Sequence, residues 1–413
     1  MNTRGKPHHT LLHALIRWRG SDDRRRFRGL ATVRRGEAAK FLKPHCSVRD
    51  PGGLLTILRL NLGNRMPKYI IHIGPRRSGS RYIQSHLFHS RDYLKEHGVL
   101  YPDIWWKKPD KIMHDSLEYD LRAGKDLKAD FDKLNASGAE IIILSFEGFE
   151  GLQIPELERL KEYVAGHQIE IVYYARRWCE RIPSIWRWHV SVGNYETFPE
   201  FCIRLLSSPD STSEINYSIV WKTFVTVFGR DSLRIVSYNN LVDRGVDLFE
   251  HFSQDVIGVS TVPQVAIGLI RRNGWPDMID AEIIRTLNYL YYEETSRIDP
   301  SMRIKLNRLK RQYDLRALRE KLRTETEERP KFMRIQLQDE AESLRPAWQE
   351  MRTYADRLVS PQYGEKIFER REAVVEFARQ NYLLRENVLD EVTKLYQFLK
   401  TEEPGTRVLR APQ

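Results

Sequence analysis

The stretch GPRRSGSR, residues 74–81, sets two glycines at the spacing G-x-x-x-x-G, with arginines at 76, 77 and 81 and serines at 78 and 80. Loops that cradle nucleotide triphosphates share that spacing, but Ser80 and Arg81 stand where such a loop has Lys and Ser/Thr. There the lysine grips the β and γ phosphates and the hydroxyl holds Mg²⁺, so their loss argues against ATP or GTP hydrolysis. An anion can still be held. Small residues at 78 to 80 let backbone N–H groups approach a phosphate, a helix start adds its positive end, and Arg76, Arg77 and Arg81 supply charge without a metal. The plainer alternative is an ordinary strand-to-helix turn whose arginines face solvent.

A second group lies in YYARRWCERIPSIWRW, where Arg176 ends an apolar run and Ser184 follows eight residues later, after Pro183. An arginine at a strand end and a serine at the next helix start can jointly hold a further phosphate. Alone the pair is weak, because Ser184 would also serve as a helix-start residue.

These residues need elements to position them. KYIIHIG is a short apolar run with β-branched residues and reads as a buried strand; SRYIQSHLFHSRDYLKEHG then carries Ile83, Leu87 and Leu94 at helical spacing and stops at Gly98. AEIIILSFEG (139–148), IEIVYYAR (169–176) and DSLRIVSYNNLV (231–242) read as further strands, with PELERLKEYVAGH and RIPSIWRWHVSVG as helices. Strands alternating with helices predict an α/β fold, a P-loop-type central parallel sheet flanked by helices. Such sheets bind ligands at the carboxyl ends of their strands, where the residues above fall. From about 265 onward the chain is charged, helix-forming and only partly apolar, which predicts a mainly helical C-terminal region. The expected division is an N-terminal extension (1–65), an α/β core (66–265) and a helical region that completes or caps it (266–413).

Composition narrows the class. The chain has 413 residues, 41% of them hydrophobic, enough for a full core. No apolar run reaches the length of a membrane span. Cys46, Cys179 and Cys202 lie far apart without metal-like spacing, which predicts a reducing, cytoplasmic setting. The formal net charge is +11. Residues 1–65 hold 15 Lys/Arg against 4 Asp/Glu, so the excess sits there and the remainder is balanced. A nucleic-acid-binding role would rest on that tail alone. The tail reads as a poorly ordered extension able to touch anionic surfaces, and a sharper version makes Met66 the native start.

Taken together, IIHIGPRRSGSRYIQ and VYYARRWCERIPS resemble the two cofactor motifs of the P-loop sulfotransferases, which bind 3′-phosphoadenosine 5′-phosphosulfate. ILSFEGF, IVWKTFVTVFGRDSLRIVSYNNLV and RRNGWPDMIDAEIIRTLN resemble further segments of the family's bacterial branch, so that the likeness covers roughly residues 68 to 290. It implies that Arg76, Arg77, Ser78, Gly79, Ser80 and Arg81 hold the 5′-phosphosulfate and that Arg176 and Ser184 hold the 3′-phosphate. Arg77 occupies the place of the family lysine that contacts the bridging oxygen. Arginine can stabilise a leaving phosphate through forked hydrogen bonds but does not donate its proton, so the substitution fits an electrostatic role.

For the general base, Glu147 lies just past the EIIILSF strand at the mouth of the expected site. His114 is the rival, since a histidine occupies the corresponding segment of many bacterial members. His72, inside the first strand, reads as a satisfied core residue. Trp186 and Trp188 flank Arg187 and cannot share one helix face, so at least one belongs to the core. Trp105 and Trp106 follow HGVLYP in a loop beside the expected mouth, where one or the other could stack on a sugar; the plainer alternative gives them no ligand. The expectation is a metal-independent sulfotransferase acting on a small-molecule or glycan acceptor, carbohydrate or lipid-linked. A catalytically weak nucleotide-binding relative and a P-loop kinase are the alternatives.

Overall fold

The computed structural model describes residues 66–107, 112–260, 262, 263, 278–309, 315, 316, 318, 319, 332–337, 344–359, 373–378 and 386–401. The basic tail, and the RRNGWP segment that contributed to the resemblance, lie outside the described residues.

Five parallel strands form the central sheet: β1 (Lys68–His72), β2 (Val99–Leu100), β3 (Ile141–Ser145), β4 (Ile169–Ala175) and β5 (Leu233–Ser237), in the order β2-β3-β1-β4-β5. Both faces are covered, and strand alternation decides which residue goes where. Tyr69, Ile71, Ile142, Leu144, Ile171, Tyr173 and Ile235 enter one apolar cluster, with Leu117, Leu157, Leu160, Trp221 and Phe224 from helices. Ile70, Ile143, Val172, Tyr174 and Val236 enter the other, with Ile83, Leu87, Leu241 and Phe249. Each fully buried aliphatic side chain contributes about 1.5–3 kcal/mol, so two filled faces hold the strand ends in fixed register.

The local details depart from the expected boundaries. One helix was expected after the glycine loop; two form, Ser80–His89 and Arg91–Glu96, divided at Ser90. The helix expected from Arg181 begins at Trp178, and Pro183 lies inside it rather than at its start. Ser184 is therefore well within the helix. The C-terminal part contains the helices Met278–Thr295, Met302–Leu309, Arg345–Arg352 and Glu386–Thr401, and also an antiparallel pair, β6 (Phe332–Leu337) with β7 (Ala373–Ala378), that the helical reading omitted. No helix among the described residues is long and apolar enough to cross a membrane.

Candidate functional site

In the sheet order β1 and β4 are neighbours; the connection after β1 leads toward β2 and that after β4 toward β5, in opposite directions, which opens a crevice at their carboxyl ends. Three connections meet there: Gly74–Gly79 after β1, the 3₁₀ turn Glu147–Gly151 after β3, and Arg176–Arg177 after β4.

Gly74 has φ 100°, and a Cβ built on it would come within 3.2 Å of Glu147 Cα and Cβ. Glycine is needed there because the glutamate's backbone abuts the loop. The Tyr174 N–H donates to the Gly74 carbonyl at 2.9 Å, tying the loop to β4. Arg77 has φ 78°, a left-handed conformation that costs a non-glycine residue about 1–2 kcal/mol. Two long-range bonds hold it. Its Nε donates to Ser184 Oγ at 2.7 Å, and its carbonyl accepts from Arg176 Nη1 at 2.6 Å. The residues expected to serve two separate phosphate contacts are thus joined directly through Arg77.

Gly79, at φ 84°, starts the helix Ser80–His89 without a side-chain cap; its carbonyl accepts from the Tyr82 and Ile83 N–H groups, and the N–H groups of Ser80 and Arg81 remain at the positive end of the helix. The Ser78 hydroxyl is fully buried, and neither it nor Arg81 Nη1 has a hydrogen-bond partner. Ser80 Oγ reaches only the Pro75 carbonyl, at 3.5 Å. A loop with buried donors lacking acceptors fits an oxyanion.

Charge points the same way. Burial lowers the Arg77 guanidinium to about 10, and Arg187, Arg176 and Arg303 push it further in the same direction while Glu147 opposes them. Arg77 is still a cation at neutral pH, in the combined field of three others. Arg76 lies over the Trp188 ring, 4.9 Å from its centroid. Arg176 lies over Tyr238 at 5.0 Å and pairs with Glu180 at 3.2 Å. Asn239 accepts from the Arg177 N–H at 2.8 Å and donates to Glu180 at 2.6 Å, clasping the ends of β4 and β5.

Glu147 begins the 3₁₀ turn, half-buried, and accepts from Gln84 Nε2 at 3.1 Å. His114 is placed differently. It is fully buried; Nδ1 accepts from the Ser145 N–H at 3.0 Å and Nε2 faces the Pro102 carbonyl at 3.0 Å. Burial lowers it to about 4. With both nitrogens engaged by backbone, this neutral ring braces β3 and has no atom left to accept a proton from a substrate. His72 is fully buried with Nδ1 on Ser145 Oγ at 2.8 Å, but its Nε2 has no partner, so it is only half satisfied.

Among the tryptophans, Trp186 is in the core, its indole N–H on the Glu196 carbonyl at 2.9 Å. Trp105 is buried too, packed on Phe131 at 5.0 Å, so it is not a sugar platform. Trp106 is half-buried against Phe88 and Tyr101, with Arg91 over its ring at 5.3 Å.

Sequence reading missed Gln84, Glu150, Glu180, Arg187, Asn239 and Arg303. Their chemistry was visible, but nothing in the order of residues indicated the pairings. Among the described residues, no cluster of His, Cys, Asp and Glu is arranged to hold a metal ion.

Glu150, in the same 3₁₀ turn, lies beside the fully buried Arg181 at 3.5 Å and accepts from the Arg76 N–H. Burial raises its carboxyl from 4.5 to about 7, against the pull of Arg181 and Arg76. A raised acid holds its proton more tightly folded than unfolded, so its contribution is full below about pH 4.5 and is lost as pH rises through 7. Glu150→Gln is expected to flatten the stability profile by about 3 kcal/mol across that window. Denaturant unfolding at the two ends would check it; an unchanged slope would assign the pH dependence elsewhere.

No family model matches the chain, and no curated protein matches it. Among solved structures, a sulfotransferase from Alicyclobacillus acidocaldarius is similar over 57% of this chain and 98% of that chain, with 12% identity and a TM-score of 0.32. A likeness that slight assigns neither chemistry nor ligand.

Proposed function

We propose that this protein is a sulfotransferase that takes a sulfo group from 3′-phosphoadenosine 5′-phosphosulfate and passes it to a hydroxyl or amine of a carbohydrate or lipid-linked acceptor. The observation that carries the reading is the meeting of an anion-cradling loop, Arg77, Arg176, Ser184 and a carboxylate, Glu147, at one strand-end crevice. Bound there, the donor supplies an activated sulfur whose bond to the bridging phosphate oxygen breaks as a bond to the acceptor forms.

In this reading Ser78, Gly79, Ser80 and Arg81 hold the 5′-phosphate through backbone and side-chain donors. Arg77 neutralises charge on the leaving phosphate, a role a guanidinium performs without giving up a proton. Arg176 and Ser184 hold the 3′-phosphate, and Arg76 adds positive field at the mouth. Glu147 takes the acceptor's proton. His114 drops out as a base because backbone groups occupy its ring.

The test is to incubate the protein with the phosphosulfate donor and a panel of hydroxyl and amino acceptors. Release of 3′,5′-diphosphoadenosine matched by sulfated acceptor supports the reading. Phosphorylated acceptor with ATP and Mg²⁺, and none sulfated with the donor, would replace it with the kinase alternative.

A further inference from the structure

We infer that Gln84 is a positioning residue for the Glu147 carboxylate, with Ser145 taking the second hydrogen of its amide. This deepens the reading of Glu147 as the base and rests on it.

The inference follows from accounting for each hydrogen. Gln84, Ser145 and His72 are all fully buried. Gln84 Nε2 donates to Glu147 Oε2 at 3.1 Å and to Ser145 Oγ at 3.3 Å, which uses both amide hydrogens. Turned over, the amide would set its oxygen against a carboxylate oxygen. Ser145 Oγ accepts from Gln84 and pairs with His72 Nδ1 at 2.8 Å, and Tyr101 is a further hydrogen-bond neighbour of its hydroxyl. Burial, which lowers His72 to about 3, keeps the ring neutral.

The arrangement has a cost. Gln84 Oε1 and His72 Nε2 are buried with no partner in the structure. Apolar residues of similar shape would fill the space without leaving two orphaned groups. What the polar chain provides is a fixed carboxylate oxygen beside the anion loop. Glu147 has no other side-chain hydrogen bond among the described residues; Arg77, Tyr101 and Glu150 face it electrostatically. Gln84 is also on the helix that the loop starts, so the base and the phosphate cradle share one rigid element.

Two readouts test this, one independent of turnover. With ¹³C-carboxyl-labelled glutamate, the Glu147 resonance, assigned by its absence in Glu147→Gln, is expected to shift in Gln84→Leu and less so in Ser145→Ala. Turnover is expected to fall roughly tenfold to a hundredfold in Gln84→Leu, with 3′,5′-diphosphoadenosine affinity within about twofold of the parent, a kcat effect without a binding effect. An unmoved Glu147 resonance in both variants would overturn the inference. Ser145→Ala serves where Gln84→Leu does not fold. A parent protein that fails to bind the nucleotide, with the resonance shifts intact, would refute the sulfotransferase reading and leave the Gln84–Glu147 coupling standing.

Discussion

Replacing Arg77 with alanine is expected to lower sulfo transfer about a thousandfold, at the upper end of what one preorganised electrostatic donor supplies. Arg77 is held in a left-handed backbone by bonds from two elements, with Nε committed to Ser184 and its carbonyl to Arg176. A group restrained in that way does not reorganise as charge develops, which is what makes such donors effective. Alanine at φ 78° has the same backbone requirement but loses the bond to the buried Ser184 hydroxyl, so the melting temperature should fall by a few degrees without loss of the fold. Arg77→Lys should recover part of the activity, because charge returns but the bond to Ser184 through Nε does not. Steady-state donor turnover with a melting control measures this. A loss below about tenfold in Arg77→Ala would mean that Arg77 is only architectural, and that the weak or inactive alternative describes the protein better.

Arg176→Ala should weaken binding of 3′,5′-diphosphoadenosine about a hundredfold, roughly 2.8 kcal/mol, and Glu147→Ala less than threefold. On the proposed function, removing Arg176 takes a guanidinium from the 3′-phosphate, and it also releases the Arg77 carbonyl that Arg176 holds. Truncating one member of a desolvated charged contact costs about 2–5 kcal/mol, so the estimate is at the modest end. Glu147 is a carboxylate among arginines, and its loss removes no contact to an anion. Calorimetry on the two variants separates binding from proton transfer. Equal effects would refute the assigned roles.

The sheet was legible because its strands are short apolar runs that end in Gly, Arg or Ser, and β1, β3, β4 and β5 lie within the stretches read as strands. The glycine spacing located the loop for the same reason: Gly74 and Gly79 both have positive φ. Legibility ended where pairing is tertiary. Nothing around Ser184 indicates that its hydroxyl meets Arg77, 107 residues away, and Pro183 reads as a helix-start signal although the helix begins at Trp178. β2 is two residues long and has no periodicity to detect. Trp105 reads as a loop aromatic at the expected mouth, but packs on Phe131 from a helix with no sequence link to it. β6 and β7 pair across a separation that local patterns do not span.

The most direct measurement is calorimetric titration of the parent protein with 3′,5′-diphosphoadenosine and, separately, with ATP in the presence and absence of Mg²⁺. Tight binding of the diphosphate without any need for Mg²⁺, with much weaker binding of ATP in either condition, is the expected result. Preference for ATP that depends on Mg²⁺ would contradict it.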